Sequence, residues 1–120
     1  STFGGNPLAA AVGRAVVGML ATGEPQRRAR ELGTVLERRL SALTGHGVTA
    51  VRVRGLWAGV DIDPSVGTAR QVCERMMAAG VLAKDTHGQT VRFAPPIVID
   101  EADLERALDV FEAALTGARV

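Results

Sequence analysis

The segment from Pro7 to Leu20 carries apolar residues on almost every side of a helix, and this feature constrains the fold more than any other. Asn6 followed by Pro7 is typical of a helix N-terminus, where a proline loses no hydrogen bond. Arg14 interrupts the segment, which is also too short to span a bilayer. A helix that is apolar all round is stable when most of its sides are covered. We therefore expect this helix to be buried on most sides, with part of its cover supplied by another domain or another chain.

A chain of 120 residues has room for one core, and 47% apolar with 22% charged residues is the composition of a globular domain. The net charge of +1 and the scattered aromatic residues argue against binding to nucleic acid or to an anionic membrane. Cys73, the single cysteine, excludes an internal disulfide and fits a reducing compartment. No histidines or cysteines stand at ligand spacing, so no metal site is predicted. We expect a cytoplasmic protein.

Beyond the first helix, the sequence predicts three more helices and two pairs of strands. A second helix runs to about Leu43, Thr68 with Gln71 forms a capping box for a third, and Asp100 with Asp103 caps a last one. The predicted strands cover residues 48–53, 56–62, 81–84 and 90–93. The order ααββαββα predicts an α+β domain, in which helices cover one face of a small, mostly antiparallel sheet.

The first residues of the chain combine hydroxyl groups with flexible glycines. Ser1 and Thr2, with Gly4 and Gly5, lie just before the N-terminus of the first helix. Free N–H groups and the helix dipole favour an anion such as phosphate at this position. The same residue types also serve as ordinary helix caps, so the residues alone leave both interpretations open.

Arg92 stands in an apolar strand between Val91 and Phe93. If its guanidinium points inward, it needs a carboxylate partner, because an unpaired buried charge is costly. An arginine on the solvent face of an edge strand is the alternative interpretation.

The strand over residues 56–62 alternates between apolar and other residues, and Trp57 is out of phase with its apolar face. Trp57 therefore either covers the second face of the sheet or meets a partner. Arg52, Arg54, Asp61 and Asp63 are interpreted as a solvated strand face. Such charges on the polar side of an alternating strand need no further explanation.

Lys84 is the only lysine, so Schiff-base chemistry by this chain alone would have to use it, but nothing around it indicates activation. His87 is interpreted as a turn residue beside Gly88, with a ligand-facing role as the alternative. Cys73 is interpreted as a small buried hydrophobe.

Three segments resemble a known family: STFGGNPL at residues 1–8, VTAVRVRGL at 48–56 and KDTHGQTVRFAPPIVI at 84–99. With their spacing, they resemble the class III pyridoxal-phosphate aminotransferases over essentially the whole chain, and within that family the ornithine-specific branch. The resemblance implies the C-terminal portion of a larger enzyme, and the lack of an initial methionine fits this expectation. Residues 1–23 would be the phosphate turn and the helix that leaves the large domain, and residues 24–120 the small domain.

The resemblance also implies roles for individual residues. Thr2 and Ser1 would bind the phosphate of pyridoxal 5'-phosphate in the neighbouring subunit of a homodimer. Arg92 would bind the carboxylate of the substrate, masked by a glutamate upstream of Ser1 in the ornithine half-reaction and free in the 2-oxoglutarate half. The family's Schiff-base lysine would lie upstream of Ser1, and Lys84 matches a strand position instead. We therefore expect no catalytic residue in this chain and no activity from the chain alone.

The implied reaction moves the δ-amino group of ornithine to 2-oxoglutarate and yields glutamate semialdehyde and glutamate. Specificity for acetylornithine or 4-aminobutyrate stays open, because the residues that distinguish these donors would lie mostly upstream. Two hypotheses from other classes also stay open. In the first, the chain is a non-catalytic split or truncated product that acts as a partner piece. In the second, it is a small module that binds an amino acid for regulation.

Overall fold

The computed structural model describes residue 2 and residues 4–117. In chain order, its elements are α1 (Pro7–Ala21), α2 (Glu24–Ser41), β1 (Val48–Arg54), β2 (Trp57–Ile62), α3 (Ala69–Ala78), β3 (Lys84–Thr86), β4 (Thr90–Phe93) and α4 (Glu101–Thr116). This is the predicted order, and the α+β class is confirmed.

The four strands form one antiparallel sheet in the order β1-β2-β4-β3. Helices α2 and α3 pack on one face of this sheet, α4 packs on both of them and contacts β4 through Phe111, and the three helices enclose the core. Alternation along β2 shows how the strands divide: Ala58, Val60 and Ile62 are buried, whereas Trp57 is exposed. Because successive side chains of a strand point to opposite faces, every strand contributes to one covered face and one open face.

The bounds of one strand differ from the prediction for an identifiable reason. The strand predicted over residues 81–84 is wrong at both ends, because β3 covers Lys84–Thr86. The Val81 N–H donates to the Met76 carbonyl, and Gly80, at φ +84°, donates to Met77. These bonds close the C-terminus of α3 as a Schellman motif, so Val81 is not free to join the sheet.

All three predicted N-caps, Asn6, Thr68 and Asp100, are in place, but only Asn6 and Thr68 act through their side chains. Thr68 Oγ1 accepts from the Gln71 N–H at 3.2 Å, and the Thr68 N–H donates to Gln71 Oε1 at 2.9 Å, which confirms the capping box. Asp100 is the N-cap of α4, but its side chain makes no capping hydrogen bond. Its carboxylate instead lies 4.0 Å from the Arg28 guanidinium.

Helix α1 is exposed along its whole length, and none of its residues is buried. Leu8 keeps 74% of its surface exposed and Met19 keeps 62%. The expectation that α1 is buried on most sides is therefore wrong for this chain, whose described residues supply no such cover. The radius of gyration is 17.0 Å, against about 14 Å for a compact domain of this length. Neither α1 nor any other described helix is long and apolar enough to cross a membrane.

Candidate functional site

The open face of the sheet carries the basic side chains of the strands. Arg52 and Arg54 come from β1, Arg92 from β4 and Lys84 from β3, and all four are exposed. They share this face because the apolar residues that alternate with them are drawn into the core. The solvated face predicted for Arg52 and Arg54 is thus confirmed, and Arg92 belongs to the same face.

A groove of about 320 Å³ lies on this face. Three arginines line it, Arg52, Arg54 and Arg92, together with Trp57 and Thr90. Trp57 is 60% exposed on the second face of the sheet, the first of the two places predicted for it. The groove therefore combines several cations with one aromatic wall, a combination suited to a small organic anion.

The register of the strands places Arg52 and Arg92 on either side of a glycine. Gly59 of β2 is the partner of Arg52 in β1 and of Arg92 in β4. A Cβ at Gly59 would lie 3.5 Å from Arg52 Nη2 and 3.5 Å from Thr90 Cγ2. The guanidinium of Arg52 therefore extends over Gly59 toward the strand that carries Arg92.

Arg52 is held in this position by Asp61. Its Nη1 and Nη2 each lie 2.7 Å from a carboxylate oxygen of Asp61, which is a bidentate pair. The Thr90 hydroxyl also donates to Asp61 Oδ1 at 2.6 Å. The hydrogen bonds from Arg52 and then from Thr90 lower the pKa of Asp61 to about 2, so this carboxylate is ionised at neutral pH.

Arg92, in contrast, has no carboxylate partner among the described residues. It is exposed, and neither an ion pair nor a side-chain hydrogen bond holds it there. The inward-pointing interpretation of Arg92 is therefore wrong, because the helices cover the face to which Val91 and Phe93 point. Its guanidinium is left able to bind a carboxylate with two parallel hydrogen bonds.

Arg92 also borders a second groove, of about 240 Å³, at the end of the sheet. The walls of this groove are apolar and include Phe93, Pro95 and Pro96, which follow Arg92 directly along the chain. Arg92 thus borders two grooves, one that also contains two other arginines and one with apolar walls. A ligand with one carboxylate and an aliphatic part fits that arrangement.

The turn before α1 shows ordinary capping by Asn6. The Asn6 Oδ1 accepts from the Leu8 N–H at 2.9 Å and from the Ala9 N–H at 3.3 Å. Thr2 is exposed, and its hydroxyl has no hydrogen bond within the described part of the chain. Ser1, the other predicted phosphate ligand, lies outside the described residues. An anion here would be held by the Thr2 hydroxyl and the glycine-containing turn, because Asn6 already accepts from the first N–H groups of the helix.

Thr2 and Arg92 lie on different elements of the chain. Thr2 precedes α1, which packs mainly on α2, whereas Arg92 is on the open face of the sheet. The two predicted binding residues therefore belong to separate parts of this chain.

The other reactive side chains show no sign of a site. Lys84 is exposed in β3, at the edge of the sheet. His87 is an exposed turn residue with φ +50°. Cys73 is buried, and burial raises the pKa of its thiol. Across residues 2 and 4–117, no cluster of acidic, histidine and cysteine side chains could hold a metal ion.

The pairing of Arg52 with Asp61 and Thr90 was not predicted from the sequence. The signal that could have found it is the tight turn at Gly55 and Leu56, which pairs Arg54 with Trp57 and Arg52 with Gly59. This register makes Asp61 the diagonal neighbour of Arg52 on the same face, within reach of a long side chain.

Comparisons with known proteins agree on one family. The sequence model described as Aminotransferase class-III matches residues 1–115. The ornithine aminotransferase of Bordetella pertussis is 48% identical over 107 residues, which are 89% of this chain and 26% of that protein. The ornithine aminotransferase of Exiguobacterium sp. is 40% identical over 120 residues, which are 100% of this chain and 29% of that protein.

A solved structure gives the same result for the fold. The crystal structure of the acetylornithine aminotransferase from Elizabethkingia anophelis matches with a TM-score of 0.85 at 33% identity. The match covers 98% of this chain and 30% of that one. The chain thus spans between 26% and 30% of the length of these three relatives.

Proposed function

The chain belongs to the class III aminotransferases, and we propose that it is the part of an ornithine–oxo-acid transaminase that binds the substrate carboxylate and the cofactor phosphate. Residues 1–23 then form the phosphate turn with its helix, and residues 24–120 form the small domain. The names of the relatives at 40% and 48% identity support ornithine as the amino donor.

The observation that carries this proposal is the free guanidinium of Arg92. It is exposed between two grooves, without a carboxylate partner among residues 2 and 4–117. An amino acid and a 2-oxo acid both present a carboxylate, and an arginine binds that group through two charge-assisted hydrogen bonds. Arg92 would thus bind the carboxylate of the 2-oxo acid, which is next to the reacting carbon. In ornithine the carboxylate lies at the opposite end from the reacting δ-amino group.

The residues of this chain fit only the phosphate end of pyridoxal phosphate. The free hydroxyl of Thr2 and the turn at Gly5, where φ is +77°, suit an anion. Lys84 is exposed at a sheet edge, without the apolar surroundings that activate a lysine. When bound, the cofactor supplies the electron sink for amino-group transfer. Thr2, with Ser1, would hold its phosphate, and Arg92 would orient the substrate.

Helix α1 supports an assembly larger than this chain. Its exposed apolar residues need a cover that the described residues do not provide, and a large domain or a second subunit would supply it. We propose a homodimer in which the phosphate turn serves the neighbouring subunit, acting in the cytoplasm on small amino and oxo acids.

A chimeric enzyme tests this function directly. This chain would replace the matched C-terminal segment of the Bordetella pertussis ornithine aminotransferase, whose sequence is 48% identical. We expect the chimera to bind pyridoxal phosphate and to transaminate 2-oxoglutarate with ornithine. A chimera that is folded and loaded with cofactor but inactive toward ornithine would contradict the proposal.

A further inference from the structure

The bidentate pair of Arg52 and Asp61 is a feature of the groove to which the proposed function assigns no role. Both residues lie on the open face, where an isolated exposed ion pair contributes little to stability. The pair nevertheless has a third member, because Thr90 of β4 donates to the same carboxylate at 2.6 Å. Asp61 thereby connects β1, β2 and β4 on the face that also presents Arg92.

The position of the Arg52 guanidinium explains why this pair matters for ligands. Arg52 and Arg92 occupy one row of the sheet, with Gly59 between them. Because Gly59 has no side chain, the Arg52 guanidinium lies over it, inside the groove that Arg92 also lines. Without Asp61, the groove would present a second free guanidinium next to Arg92.

Arg54 is not the second guanidinium next to Arg92. It also lines the groove, but it lies two residues beyond Arg52 along β1, where its partner in β2 is Trp57. The residue in line with Arg92 is Arg52, and the carboxylate that occupies its hydrogen-bonding edge belongs to Asp61.

We propose that Asp61 is a specificity-determining residue of this groove. Asp61 pairs with Arg52 and thereby leaves Arg92 as the guanidinium of that row that binds a ligand carboxylate. The groove then prefers ligands with two carboxylates over ligands with one, but less strongly than it would if all three arginines were free. The inference rests on the proposed function for the identity of the Arg92 ligand as a carboxylate. It concerns selectivity between anions, which can be measured without transamination.

Trp57 provides the measurement, because it is the only tryptophan of the chain and it lines the groove. The fluorescence of Trp57 would be titrated with glutarate and with acetate at constant ionic strength, in the wild-type chain and in D61N. We expect D61N to bind glutarate about fivefold more tightly, the scale of one exposed ion pair. The affinity for acetate should change less, because one carboxylate already finds Arg92.

Two control variants separate this effect from a change in net charge or in folding. D63N removes an equal charge just beyond the end of β2, outside the groove, and should leave glutarate binding at the wild-type level. The double variant R52Q/D61N removes the released guanidinium and should abolish the gain. T90V, which deletes only the hydroxyl that donates to Asp61, should raise the affinity for glutarate by a smaller factor.

A purely structural role for Asp61 would lower the urea midpoint of D61N without raising its affinity for any anion. A glutarate affinity in D61N no higher than in D63N would therefore overturn the inference. The variant R92Q separates this outcome from a failure of the proposed function. If R92Q binds acetate as well as the wild type does, the proposed role of Arg92 is wrong. A gain in glutarate affinity in D61N that depends on Arg52 would still support the role of Asp61.

Discussion

The two faces of the sheet are built from the same four strands, yet they differ in almost every physical property. The covered face presents Val60, Val91 and Phe93 to the helices, and all three are buried. The open face presents arginines, one tryptophan and the Arg52–Asp61 pair to solvent. Phe93 and Arg92 are neighbours in sequence and lie on opposite faces, which shows how sharply strand alternation separates the two.

This difference indicates a division of work between the faces. Apolar burial on the covered face supplies the free energy of folding. On the open face, exposed charges contribute little to stability and are available for ligands. Variants of the covered face should therefore lower the free energy of unfolding, and variants of the open face should change binding or activity while the chain remains folded.

The largest effect should come from Phe111 of α4, which packs against the covered face of the sheet. Its side chain is fully buried and meets the Phe93 ring edge to face, with centroids 4.9 Å apart. Phe111→Ala should lower the free energy of unfolding by about 3–5 kcal/mol, because it removes apolar contacts and leaves a cavity. Urea unfolding followed by circular dichroism measures this loss.

Trp57→Ala is the matched variant on the open face. Because Trp57 is 60% exposed, we expect it to cost no more than about 1 kcal/mol, near the usual range for surface positions. A loss as large as that of Phe111→Ala would show that the open face contributes to folding as strongly as the core.

The next largest effect should be on activity and should arise at Arg92. In the chimeric transaminase, Arg92→Ala should reduce kcat/KM for 2-oxoglutarate by roughly 100-fold, because charge-assisted hydrogen bonds contribute about 1.5–3 kcal/mol. Arg92→Lys should recover part of this loss, since it restores the charge without the planar fork. The stability of both variants should match that of the parent.

Arg30→Ala is the control for that experiment, because Arg30 is an exposed arginine of α2 without an ion pair among the described residues. It should leave kcat/KM unchanged. Equal losses in the Arg30 and Arg92 variants would mean that the chimera responds to net charge and not to the groove.

Much of the covered face could be predicted from the sequence, because local patterns determine it. The alternation over Ala58, Val60 and Ile62 and the capping box at Thr68 both have the predicted structure. The prediction that helix α1 is buried was wrong because the burial of a helix depends on residues outside it. The pattern of α1 correctly indicates a need for cover, but the sequence cannot tell whether this chain contains the cover.

The open face was harder to predict because its chemistry depends on partners distant in sequence. The short strand β4 contains only four residues, so the orientation of Arg92 is decided by the helices that cover the other face. The role of Asp61 depends on the register of two strand pairs, which brings it to both Arg52 and Thr90. Residue types alone indicate a solvated charge at these positions.

A smaller effect on stability is expected at Gly33, where α2 approaches the turn between β1 and β2. A Cβ at this position would lie 2.7 Å from the Gly55 carbonyl oxygen, and Gly55 can yield only by a shift of the backbone. Gly33→Ala should therefore lower the free energy of unfolding by about 2 kcal/mol, the usual scale of overpacking, although alanine favours helices. Urea unfolding of this variant beside Gly13→Ala, a helical position with open space around it, measures the difference. A stabilised Gly33→Ala chain would mean that the close packing of α2 on the turn is absent in solution.

The smallest effect should come from the protonation of Asp61 on the open face. Folding lowers the pKa of this carboxyl from 3.8 to about 2, so the folded chain holds the proton less tightly than the unfolded chain. The stabilisation is therefore complete above pH 4 and is lost as the pH falls toward 2. Because Arg52 is largely exposed, we expect only about 1 kcal/mol. The difference in the free energy of unfolding between wild type and D61N should reach that value at pH 6 and disappear near pH 2, and this subtraction removes the titration of the other acids. If the difference in the free energy of unfolding stays constant across this range, Asp61 stabilises the fold through packing and not through its charge. The contrast between the two faces would then be weaker than the structure indicates.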